Sequence, residues 1–128
     1  SKFHLPMIRG IGIIFAIVLI LSSVLWGSLF SVFEIIIISL STLILWDNEI
    51  TSLSLKENTN LTYLDCEENK LVSVDLSNNL GLEYLYCSLN ELTKLDISQN
   101  TALNILYCGV NLITNIDVSK NSLLNELG

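Results

Sequence analysis

Beyond Arg9 the chain has no arginine, and its single histidine, proline and methionine (His4, Pro6 and Met7) also stand near the start. The rest of the sequence therefore lacks an imidazole, the commonest general base and a frequent metal ligand. His4 has no Cys, Asp or Glu close to it in sequence and is given no chemistry. A glycine-rich phosphate loop and a GxSxG elbow are both missing. The three cysteines have neither the CxxC nor the CxH spacing of a zinc site. An EF-hand loop and a nonapeptide calcium repeat are absent too. The repeat pattern places the acids towards solvent, where nothing would drive two carboxyl pKa values apart for acid–base work. Catalysis is therefore set aside, and the sequence assigns no catalytic residue, no metal and no cofactor.

Positive charge is also scarce, giving a formal net charge of −7. Residues 1–39 carry Lys2 and Arg9 against Glu34, a net of +1. Residues 40–128 carry four lysines against twelve acids, a net of −8. Yet 51% of the chain is hydrophobic. The two facts are reconciled by dividing it into an N-terminal hydrophobic segment, 1–39, and an acidic domain, 40–128. Phosphate would be repelled by the second, so nucleic acid is not expected as a partner.

Within the first segment, Ile11–Phe33 is a run of 23 residues without charge. As an α-helix it would reach about 34 Å, enough to cross a hydrocarbon core of about 30 Å. An uncleaved membrane anchor and a cleaved secretory signal centred on Ile11 to Leu21 both fit. The lack of an A-x-A-like triplet and of an LxxC lipobox favours the anchor. Lys2 and Arg9 precede the span and acids come after it, which orients the downstream residues away from the cytoplasm. Glu34 argues against a longer span, and Ile35 to Ile38 either finishes the helix or caps the open edge of the acidic domain.

What the chain does have is a period of 21 residues. Leu61, Leu82, Leu103 and Leu124 fall in register, as do Leu64, Leu85, Leu106 and Leu127. All three cysteines, Cys66, Cys87 and Cys108, share one column, with Leu45 one period earlier. A second apolar set comes next in Leu71, Leu92 and Ile113, then Val74, Leu95 and Ile116, then Leu76, Ile97 and Val118. Asparagines close both halves of the unit: Asn69, Asn90 and Asn111 in one, and Asn79, Asn100 and Asn121 in the other. A fixed period of this length marks a solenoid. Four coils result (40–60, 61–81, 82–102 and 103–123), and 124–128 opens a fifth without a polar terminal cap, as in a truncated array.

Each half-unit alternates buried and variable residues as a short strand would, so parallel strands are expected on two faces of a flattened coil. The asparagines suit the bends, where the side-chain amide can satisfy stranded backbone groups. A column that takes either Leu or Cys is a packing column, because a free thiol behaves as a small buried hydrophobe.

Units such as LTYLDCEENKLVSVDLSNN and LEYLYCSLNELTKLDISQN resemble the leucine-rich repeats of the bacterial 21-residue subclass called IRREKO. The resemblance covers residues 40–128. It implies a β-rich solenoid that serves as a recognition scaffold, often on secreted or surface-displayed bacterial proteins, and it brings no catalytic residues.

The outward positions of the first half-unit hold all four tyrosines of the protein, Tyr63, Tyr84, Tyr86 and Tyr107, together with Trp46, Asp65 and Glu67. Tyrosine joins apolar area to a polar tip and is favoured at interfaces. The face is read as a contact surface for a protein or glycan, against the alternative that the rings only stabilise the sheet. On the other face Asp75, Asp96 and Asp117 form a column of like charge. These acids are expected to be solvated and helped by nearby hydroxyls and amides, with calcium as the competing reading. A spacer or stalk within a longer surface protein is the alternative function.

Overall fold

The computed structural model describes residues 40–128. The expected hydrophobic helix, with its membrane span Ile11–Phe33 and the run from Ile35 to Ile38, lies outside the described residues. Among the described residues no helix is long and apolar enough to cross a membrane.

Five short strands repeat at the sequence period: β1 Thr42–Ile44, β2 Tyr63–Asp65, β3 Tyr84–Tyr86, β4 Ile105–Tyr107 and β5 Glu126–Leu127. They form one parallel sheet in the order β1-β2-β3-β4-β5, without a crossover. Register follows the period, with Leu43 opposite Leu64, Leu64 opposite Leu85, and Leu85 opposite Leu106. The ladder continues one residue past the strands, where Cys66 N–H donates to Tyr86 O and Cys87 N–H to Tyr107 O, both at 2.8 Å.

Inside the coils Leu61, Leu64, Leu71, Leu82, Leu85, Leu92, Leu103 and Leu106 are all buried. Cys66 and Cys87 belong to the same core, and Cys108 packs against it half-buried. All three are free thiols that fill volume in a packing column. The inward leucines bury little unless the next coil covers them, so coils stabilise one another and not themselves.

Among the described residues strands form on one face only, which corrects the expectation of two. In the return half of each unit Leu55, Leu76, Leu95 and Ile97 still point inward and are buried. Coil-to-coil backbone bonds there are sparse: Lys70 N–H to Ile50 O, Glu91 N–H to Leu71 O and Leu112 N–H to Leu92 O, all 2.9 Å, and Thr93 N–H to Val72 O at 3.4 Å. The chain then spends its amides on local turns, Asn79 N–H to Leu76 O and Leu82 N–H to Asn79 O, each 3.1 Å. Asparagine side chains make the remaining links. Asn79 Nδ2 donates to Leu55 O at 3.1 Å and to Asn58 O at 2.9 Å, and Asn100 repeats the pattern on Leu76 O and Asn79 O. Alternation thus records which side chains face inward, whereas a sheet also needs amides free to pair.

The strands β1 to β4 each leave the sheet through a residue of positive φ: Asp47 (53°), Glu68 (54°), Leu89 (56°) and Val110 (51°). This left-handed conformation costs an L-residue about 1–2 kcal/mol, and a β-branched side chain suffers most. It is held because the amides there reach the next coil, Glu68 N–H to Ser88 O at 3.1 Å and Leu89 N–H to Gly109 O at 3.0 Å.

Candidate functional site

Side chains at the first and third positions of each strand stand on the outer surface of the sheet, because the middle one is committed to the core. Tyr63, Tyr84, Tyr86 and Tyr107 occupy such positions and are half-buried against one another. Ring centroids lie 5.9 Å apart for Tyr63 and Tyr84, 5.5 Å for Tyr63 and Tyr86, and 5.4 Å for Tyr86 and Tyr107. The last pair is stacked, with 9° between ring planes. On its far side the Tyr107 ring lies over Gly128, where a Cβ would come within 2.5 Å of it. The structure therefore brings the four tyrosines together as one ladder.

The other residues expected on this surface behave differently. Trp46 is half-buried at the β1 end, and among the described residues the ring contacts join tyrosines only. Asp65 and Glu67 are 4% and 6% exposed, which corrects their placement as solvent-facing acids. Asp65 Oδ1 accepts the Glu67 N–H at 3.2 Å, so the carboxylate turns back onto its own backbone.

Glu126 was not singled out by its sequence, though it falls in the Tyr63–Tyr84–Ile105 column once the period is carried into the fifth coil. It accepts a hydrogen bond from the Tyr107 hydroxyl. That bond raises the Tyr107 pKa, with desolvation and the Glu126 charge adding to it. Burial raises the Tyr86 hydroxyl first, then the charges of Glu126 and Asp65. Burial and then Asp65 raise Tyr63. The field along the ladder is negative, and the hydroxyls of Tyr63, Tyr86 and Tyr107 remain neutral donors at physiological pH.

Beneath the ladder the thiols are chemically quiet. Burial, then the Asp65 charge, pushes Cys66 up to about 12. Cys87 is raised well above the ordinary thiol range by burial, and burial also raises Cys108. A protonated, enclosed thiol is a poor nucleophile and a poor metal ligand.

On the other face each acid caps its own turn. Ser77, Ser98 and Ser119 N–H donate to Asp75, Asp96 and Asp117 Oδ1 at 3.0, 2.9 and 2.8 Å. Hydrogen bonds from those serines, hydroxyl first and amide second, hold all three carboxyls below their usual pKa. Among the described residues no group of three or more His, Cys, Asp or Glu is arranged to hold a metal ion.

No family model and no curated protein matches the chain. Solved structures do. The functional domain of InlJ from Listeria monocytogenes, which includes a cysteine ladder, is 39% identical over 70% of this chain, with a TM-score of 0.70. The internalin InlF from Listeria monocytogenes shares the fold at 23% identity over 73% of this chain, with a TM-score of 0.66. The chain spans 20% of the first structure and 36% of the second. With one sheet in register, one thiol column and these neighbours, residues 40–128 are a leucine-rich repeat segment with a period of 21 residues.

Proposed function

We propose that the repeats form a non-catalytic recognition scaffold that binds a protein through the tyrosine-bearing strand face. The tyrosine ladder carries this reading: four phenolic rings from three successive coils are concentrated on one surface, with centroids 5.4 to 5.9 Å apart. Rings held by their neighbours lose little side-chain freedom on binding, which favours them as anchors. The likeness to the InlJ functional domain supports a role in recognition. In this reading residues 1–39 form the hydrophobic segment, with Ile11–Phe33 as membrane anchor or signal, and the repeats face the outside of the cell. Residues Tyr84, Tyr86 and Tyr107 are the centre of the contact, with Tyr63 and Trp46 at its β1 end and the buried Asp65 and Glu67 beneath them.

The test is the full chain against a Tyr84→Ser/Tyr86→Ser/Tyr107→Ser variant, with binding to surface proteins measured alongside the denaturation midpoint. Loss of the bound protein with folding intact supports the scaffold. Unchanged binding by a folded variant would instead support the spacer or stalk.

A further inference from the structure

The tyrosine face has an uneven charge. Asp65 and Glu67 sit at its β1 end, Glu83 borders it one residue before β3, and Glu126 stands at its β5 end. None of the four lysines among the described residues shares these columns. Lys70 lies beyond the bend after Asn69, where it pairs with Glu49 at 3.5 Å, and Lys56, Lys94 and Lys120 belong to the return half. Glu83 and Glu126 are both exposed. Among the described residues the surface thus combines aromatic area with two exposed acids, Glu83 and Glu126, and no lysine.

Resting on the reading of this face as a protein-binding surface, we propose that its partner presents a basic segment, with lysine or arginine side chains along the tyrosine rings and their charged ends at Glu83 and Glu126. The chemistry matches on both counts. A long cationic side chain covers aromatic surface with its methylene stem while its head seeks a carboxylate. A cation beside an aromatic face gains further from the ring quadrupole. The Tyr107 hydroxyl bonds Glu126 and its ring stacks on Tyr86 at 5.4 Å, so rings and carboxylate lie within reach of one incoming side chain. An acidic partner would meet like charge at Glu83 and Glu126, and a neutral one would bring those carboxylates no cation.

The experiment uses the full chain and two labelled probes, an oligolysine peptide and a serine–glutamine peptide of the same length. Oligolysine should bind and should shield the tyrosines from nitration, whereas the neutral peptide should do neither. Glu83→Gln/Glu126→Gln should weaken oligolysine binding by roughly three- to tenfold, the range for two exposed charge contacts. Asp75→Asn/Asp96→Asn/Asp117→Asn removes more charge from the other face and should weaken it less. Equal weakening by the two variants, or no shielding of the tyrosines, would overturn the proposal. The two readings separate in the protein-binding assay. Binding lost with the tyrosine variant but indifferent to Glu83→Gln/Glu126→Gln refutes the basic partner and leaves the scaffold standing. Binding indifferent to both refutes the scaffold itself.

Discussion

Two columns of asparagine run through this solenoid, and they are satisfied unequally. In the strand half, Asn90 Nδ2 donates to Cys66 O of the preceding coil at 2.9 Å and to Cys87 O and Ser88 O of its own at 3.2 Å. Its Oδ1 accepts Leu71 N–H at 3.0 Å, and Asn69 and Asn111 repeat this bond on Ile50 and Leu92. In the return half, Asn79, Asn100 and Asn121 also donate twice to the preceding coil. Their buried Oδ1 atoms, however, accept from no protein group. The difference lies in the backbone beside each column. After Asn90 an amide of the preceding coil points at the side chain, whereas near Asn100 the amides are already used in the local turn. One residue type at one spacing is therefore a complete junction in one half and a partial one in the other.

That asymmetry orders the expected effects of perturbation. Asn90→Ala leaves the Leu71 amide without its acceptor and takes one donor from each of Cys66 O, Cys87 O and Ser88 O, which keep Asn69, Asn111 and the Glu68 amide, and should cost about 2–4 kcal/mol in a urea titration. Asn100→Ala takes one of two donors from Leu76 O and Asn79 O, which keep their turn amides, and should cost about 1–2 kcal/mol. Equal losses would remove the distinction between the halves. Alkaline pH should act on the strand half through the thiols. An unfolded cysteine loses its proton near pH 8.5, whereas folded Cys66 holds it to about 12. The folded chain then binds more protons in that interval, so stability is whole below about pH 8.5 and declines as pH rises through it. Melting curves from neutral to alkaline pH check this, and Cys108, the least buried thiol, should react first with an alkylating reagent.

A gain is expected at the exit from β4. Val110 is 73% exposed and adopts φ of 51°, so its side chain brings strain without burial. Val110→Gly should stabilise by about 0.5–1 kcal/mol, since relief of the left-handed strain outweighs the added freedom of the unfolded chain. The smallest effect belongs to the return half in acid. Asp75, Asp96 and Asp117 have lowered pKa values, so the unfolded chain binds more protons below about pH 4 and stability declines from there downward. These carboxyls are fully exposed, so Asp96→Ala should move the acid midpoint only slightly in a pH-dependent melt.

The sheet could be read directly from the spacing, because Leu64, Leu85 and Leu106 stand opposite one another at the sequence period. The buried thiol column was legible because Leu45 shares its register, and the tyrosine ladder because strands alternate. Other features leave no such trace. Asp47, Glu68, Leu89 and Val110 share a backbone conformation but no side-chain chemistry, so sequence does not reveal the left-handed column. The inward alternation of Leu53 and Leu55, or of Val74 and Leu76, says nothing about whether their amides find a neighbour. Asp65 looks outward by count alone, yet a short carboxylate folds back onto the nearest amide.

The bonds between coils have one further property. They join residues 19 to 22 or 24 apart wherever they occur, and each coil touches only its neighbours. Cutting out 21 consecutive codons, or duplicating them, would return every surviving donor to an acceptor of the same kind. Such a gene can change the reach of its product by uneven recombination, with no new interface to invent.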